Sequence, residues 1–149
     1  MTHEERNTLV GIFVNLLVNT WILLRLKGQY NDGLLTGSDG LSVFGKTVLL
    51  AIPASIVLTI VGVILFNILF AIVTRDENPD FIVDERDQMF KIRGMSVTMI
   101  VSAIGFIAAM SALALGYAAL TVFLIMYLSF ALGDLTGNVI KLASYRGGV

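Results

Sequence analysis

Asp134 is the carboxylate of this chain that falls inside a long apolar stretch, and an ionisable group in such a place is a functional candidate by default. The chemistry it offers is proton or cation binding. The plainer reading is a structural polar clasp, or a pair with Lys141 or Asn138, which share its helix face. Other polar residues lie at a similar depth. Asn15 is about nine residues past Arg6, Asn67 about eight before Arg75, Ser102 nine past Arg93 and Asp134 seven before Lys141. At about 1.5 Å per residue, all sit roughly 10–14 Å from one membrane boundary. Four polar residues from four helices at one depth can meet, and Asn19 lies one turn deeper than Asn15 on the same face.

The second group with chemical potential is the run Asp84-Glu85-Arg86-Asp87-Gln88-Met89-Phe90-Lys91-Ile92-Arg93. Asp84 reads as a helix N-cap with Glu85 and Asp87 in the first turn, where negative charge suits the helix dipole. Asp87 and Lys91, four apart, support the helix as a pair. Met89, Phe90 and Ile92, with Phe81, Ile82 and Val83 before them, supply apolar contacts. The segment is expected to form an amphipathic helix in the membrane interface that bends at Gly94. Acids and bases balance, so it is not a basic membrane-surface helix. Two readings compete: a helix that closes one end of the bundle and pairs with the chain's own termini, or a docking surface for a partner, since dense mixed charge serves specificity.

Composition removes other chemistries. The chain has no cysteine, which excludes disulfides, thiol catalysis and thiolate metal sites, and its one histidine, His3, argues against a histidine metal site or a catalytic triad. Carboxylates that start a helix form a solvated cap more readily than a metal site. No enzyme, metal or cofactor is therefore expected. The net charge of −1 offers no footprint for nucleic acid. The 149 residues are 56% hydrophobic and 14% charged, against about 25% charged in soluble domains. A chain this apolar needs lipid around it.

Four spans must position these groups, at about 7–26, 47–73, 95–115 and 117–142. The fold class is an all-α, integral membrane four-helix bundle in one domain, 1–149. Met1–Arg6 before an apolar run resembles a signal peptide, but Glu4 and Glu5 spoil a basic leader and no small-residue cleavage site follows, so the stretch reads as span one. Span two exceeds the roughly 20 residues a bilayer needs, and Pro53 either kinks it or marks its first turn. Pro79 stops its helix from continuing toward span three. Gly116 is nearly the whole link between spans three and four, which form a tight hairpin.

The loop 28–45 holds Gly28, Gly33, Gly37, Gly40 and Gly45 and reads as consecutive turns. Asp32 and Asp39 alone make a poor calcium set. Arg6, Arg75, Arg86, Lys91, Arg93, Lys141 and Arg146 fall on one side of the membrane and Arg25, Lys27 and Lys46 on the other, which places both termini and the loop 74–94 inside. Small residues decide helix packing in lipid. Ser129, Gly133 and Gly137 on span four, and Ala108, Ala112 and Gly116 on span three, form such stripes. They fit packing within the hairpin, and the span-four stripe fits a homodimer seam equally well.

Asp84–Asp87 between two pairs of spans, followed by Lys141-Leu142-Ala143-Ser144-Tyr145-Arg146-Gly147-Gly148, resembles small four-helix membrane proteins of bacteria and archaea. The resemblance covers the second half of the chain. It implies no settled activity and no catalytic residues. Some similar proteins lie beside DNA-binding regulators, which implies restraint of a regulator at the membrane.

Two functions are thus expected from the sequence. One is a non-enzymatic protein of a prokaryotic cytoplasmic membrane that holds a cytoplasmic partner, such as a transcription regulator, through Asp84, Glu85, Arg86, Asp87, Lys91, Arg93, Lys141, Tyr145 and Arg146. The other is a small transporter or channel, dimeric or larger because four spans leave little room for a pore. It would use Asn15, Asn19, Asn67, Ser102 and Asp134.

Overall fold

A computed structural model describes residues 3–74 and 84–147. Within them the chain is helical: α1 His3–Asn31, α2 Gly40–Leu49, α3 Ala51–Thr74, α4 Glu85–Ala114 and α5 Ala119–Gly147. α1, α2 with α3, α4 and α5 make four helices long and apolar enough to cross a membrane. α1, α4 and α5 have 29, 30 and 29 residues. At about 1.5 Å per residue each is longer than a hydrocarbon core of about 30 Å is thick. The expected break at Pro79, the charge of Arg75 and the apolar Phe81-Ile82-Val83 lie outside the described residues.

The helix stops have local causes. Leu34 N–H donates to the Gln29 carbonyl and Gly33 N–H to the Tyr30 carbonyl, a Schellman stop with Gly33 at φ +75°. The same pattern recurs where Tyr117 N–H reaches Ala112 and Gly116 N–H reaches Leu113, with Gly116 at φ +83°. The α4–α5 link is therefore the short stretch Leu115–Ala118. Pro53 sits in the first turn of α3, where its missing N–H breaks no helical bond. The loop expected over 28–45 is shorter than its glycines imply. Gly28 lies inside α1 and Gly45 inside α2, and only 32–39 are non-helical.

The bundle takes an open form, a row in the order α3, α1, α5, α4. α4 packs most closely on α5, α1 lies against both α3 and α5, and α2 lies across the loop end of α1, α3 and α5. The central position of α1 shows in its stripe Val10, Val14, Val18, Ile22 and Leu26, all buried at four-residue spacing. Phe44 of α2 extends this core, with Leu58, Val63 and Phe66 of α3 on one flank and Leu120, Leu124 and Tyr127 of α5 on the other. Gln29 and Thr47 exchange hydrogen bonds of 2.9 and 3.0 Å where α2 meets α1.

The α4–α5 hairpin closes on small residues. A Cβ on Gly94 would sit 2.7 Å from the Gly137 carbonyl oxygen, and one on Gly133 would meet Ser102 Oγ at 2.7 Å. A Cβ on Gly105 would overlap the Ser129 side chain. The Ser129–Gly133–Gly137 stripe thus packs within the chain. On α4 the contact stripe is Gly94, Thr98, Ser102, Gly105 and Ala109, with Ala109 fully buried, and not the expected Ala108, Ala112 and Gly116. α4 runs as one helix through Gly94 from Glu85. The missing side chain of Gly94 admits the α5 backbone.

Candidate functional site

Asp134 anchors a chain of hydrogen bonds between α1 and α5. Asn15 Nδ2 donates to Asp134 Oδ2 at 2.8 Å, and Asn138 Nδ2 donates to Asp134 Oδ1 at 3.1 Å. Asn15 Nδ2 also donates to the Ala131 carbonyl at 3.2 Å, and Asn138 Nδ2 to the Asp134 carbonyl at 2.9 Å. One turn further, Asn19 Nδ2 donates to the Asn15 carbonyl at 2.8 Å, and the Tyr127 hydroxyl donates to Asn19 Oδ1 at 2.6 Å. Asn15, Asn19 and Asp134 therefore meet as their shared depth implies.

Asn67 and Ser102 do not join them. Asn67 lies on α3 and turns its amide back to the Val63 carbonyl at 2.9 Å. Ser102 lies in the α4–α5 seam against Gly133. Asn67 is not level with Asn15: Gly62 of the antiparallel α3 meets Val10 and Arg6 lies over the Phe70 ring, which sets Asn67 near the start of α1. Tyr127 is the member that reading by depth missed. Its signal was present, since Tyr127, Ala131, Asp134 and Asn138 follow one face of α5 at helical spacing.

The network borders a groove of about 460 Å³ that runs along α1 between α3 and α5. Ala51, Ile52, Ser55 and Thr59 form its α3 wall, and Phe130 and Asp134 stand on the α5 wall. Asp134 is exposed to it. Lys141, which shares the Asp134 face of α5, pairs elsewhere: its Nζ lies 2.8 Å from Glu4 Oε2. Among the described residues, the Asp134 carboxylate has no cationic partner.

The charged run is the exposed start of α4, and its first turn is rigidly held. Asp84 is the N-cap: its side chain accepts from Glu85 N–H at 2.7 Å, and Asp87 Oδ2 accepts from Asp84 N–H at 3.1 Å, a capping box. Asp87 is 7% exposed, and its other oxygen accepts the Tyr145 hydroxyl at 2.7 Å. Both oxygens face partners other than Lys91, with which the sequence paired it. Phe90, also buried, meets the Tyr145 ring edge-on at 4.9 Å.

Arg146 Nε approaches Glu5 at 3.8 Å. Asp87, Lys141, Tyr145 and Arg146 thus bind the chain to itself, with Glu4 and Glu5 as partners that sequence position could not assign. Asp84, Glu85, Arg86, Lys91 and Arg93 remain exposed, as do Met89 and Ile92. Helical spacing sets Glu85, Met89 and Ile92 on one face, flanked by Arg86 and Arg93. Comparison of the chain with protein-family models, curated proteins and solved structures finds no match in any of the three.

Proposed function

We propose that this chain is a non-enzymatic multi-pass protein of a prokaryotic cytoplasmic membrane, with both termini inside, that holds a cytoplasmic protein partner on the first turns of α4. The observation that supports it is the rigid mounting of an exposed mixed surface. The capping box and the Asp87–Tyr145 bond fix the helix start, while Glu85, Met89 and Ile92 are exposed and Arg86, also exposed, lies over the Phe90 ring at 5.8 Å. A preorganised surface loses little side-chain and backbone freedom on binding, which favours affinity. Charge of both signs around two apolar side chains favours one partner over others. A DNA-binding regulator is the partner class that the sequence resemblance implies, with this chain touching the regulator and not the nucleic acid.

The test is purification from native membranes with mass spectrometry of what copurifies, beside a Glu85→Arg/Arg86→Glu variant. Asp87 is left intact so that the mount survives. A soluble protein retained by the native chain and lost from the variant carries the proposal. One that stays on both, or none on either, removes it.

A second reading, a small oligomeric transporter or channel, draws support from the groove beside Asp134. The open row leaves that groove uncovered by the chain itself, so a second copy would complete a pathway. Flux through liposomes that an Asp134→Asn variant leaves unchanged would end that reading.

A further inference from the structure

We infer that the groove between α1, α3 and α5 is a binding site for a small amphipathic ammonium ion, its charged head on Asp134 and its apolar part along Val14, Val18 and Phe130. The inference rests on the second reading only in sharing Asp134, since a site can bind without transporting. Charge gives the first argument. Asp134 presents a carboxylate to the groove and has no cationic partner among the described residues, because Lys141 is held by Glu4. A lone carboxylate within a membrane span calls for a counter-charge.

The donor census gives the second. Asn15 directs its amide at Asp134 and the Ala131 carbonyl, and Asn138 directs its own at the Asp134 side chain and carbonyl. Tyr127 gives its hydroxyl proton to Asn19, and Ser55 gives its own to the Ile52 carbonyl. What these groups have left to offer is acceptor lone pairs, and the donors still open in the groove are the Thr59 hydroxyl and one Asn19 N–H, so beside Asp134 a fitting ligand brings N–H donors and positive charge.

Size and lining give the third. About 460 Å³ falls in the range of small-molecule sites and far exceeds one inorganic ion. One carboxylate with amide oxygens is also too thin a set for a divalent cation. Val14, Val18, Ala51 and Ile52 provide apolar wall, and the Tyr127 and Phe130 rings line the groove, where a cation gains from an aromatic face.

The probe is hexylammonium, titrated calorimetrically into the full chain in phosphatidylcholine nanodiscs, with hexanol as the uncharged control. Saturable binding that Asp134→Asn weakens tenfold or more, while hexanol binding is unaffected, is the expected result. Asp39→Asn, which removes a carboxylate outside the groove, should leave binding unchanged. Matching circular dichroism of all forms separates loss of the site from loss of the fold. Equal binding to native and Asp134→Asn chains overturns the inference, as does no binding, or a groove sealed by a second copy as shown by cross-links between copies at Ser55.

Phosphatidylethanolamine nanodiscs separate two sources of the same chemistry. Weaker apparent hexylammonium binding there means that lipid head-group amines occupy the site, and unchanged binding means that it takes free amines. Binding to Asp134 without movement of hexylammonium into liposomes supports the site while removing the transport reading.

Discussion

The Tyr145 hydroxyl donates a 2.7 Å hydrogen bond to Asp87 Oδ1, joining the last turns of α5 to the first turn of α4 across 58 residues of chain. The same carboxylate closes the α4 capping box, so one buried group serves both helix ends. Tyr145→Phe keeps the ring on Phe90 and removes the donor. It should cost about 1–3 kcal/mol, the usual range for a buried acceptor that loses its partner. Asp87→Ala removes the cap as well and should cost more, since a lost N-cap interaction is worth about 0.5–2 kcal/mol by itself. Thermal unfolding in detergent should rank native above Tyr145→Phe above Asp87→Ala. A Tyr145→Phe midpoint equal to the native one would show that the bond does not hold the helices.

The described glycines divide into those with a neighbour at the missing Cβ and those without. A Cβ on Gly137 would sit 2.7 Å from the Gly94 carbonyl oxygen and overlap the Thr98 side chain, whereas one on Gly45, inside α2, would meet open space. Gly137→Ala should force α4 and α5 apart and destabilise the hairpin by about 1–3 kcal/mol, as overpacking does. Gly45→Ala should stabilise by about 0.5–1 kcal/mol, through helix propensity. Opposite signs of the shift in denaturation midpoint are the signature. If Gly137→Ala is neutral, the seam is looser than its distances state.

Much of this architecture is written in local pattern, and some of it is not. The spans follow from uninterrupted apolar length, and the α4 start follows from Asp84 with Asp87 three residues on. The phase of the α4 seam does not follow. Ala103, Ala108, Ala109, Ala112 and Ala114 offer several small-residue stripes, and only the fit to Gly133 and Gly137 selects the face holding Ala109. The open row was equally hidden, because a helix that is apolar on all sides carries no mark of which side meets protein. That hidden order decided the site. Asn67, which residue count sets at the depth of Asn15, stands on α3 beside the start of α1, where Phe70 meets Arg6, while Ser55 and Thr59 lie nearer Asn15.

Lys141 and Glu4 tie the two ends of the described chain, beside the looser Arg146–Glu5 approach, at 2.8 Å with side chains 14% and 27% exposed. Partial exposure limits such a pair to about 1 kcal/mol or less. A double-mutant cycle with Glu4→Gln and Lys141→Gln should return a favourable coupling of that size at low salt and a smaller one at high salt. Zero coupling at low salt would make the contact incidental. The cycle also tests the groove, because a Lys141 released by Glu4→Gln becomes available to Asp134. Hexylammonium binding should then fall in Glu4→Gln alone and recover in the double variant.

The Asn15–Asp134 bond is asymmetric, and its asymmetry can be measured. Asn15 Nδ2 keeps the Ala131 carbonyl as an acceptor, and Asn138 Nδ2 keeps the Asp134 carbonyl, so losing the carboxylate strands neither amide. Losing Asn15 instead leaves Asp134 with a single side-chain donor in the same groove. Asn15→Leu should therefore destabilise by about 0.6–2 kcal/mol, the range of polar contacts between membrane helices. Asp134→Leu should cost less, and Asn15→Leu/Asp134→Leu should recover part of the Asn15→Leu loss. Equilibrium unfolding in mixed micelles reads all three. That order would mean that the carboxylate adds little to stability in a place where charge is expensive, and is better explained by what it binds than by what it holds together. An Asp134→Leu variant that loses more stability than Asn15→Leu would reverse that conclusion and make Asp134 a structural clasp.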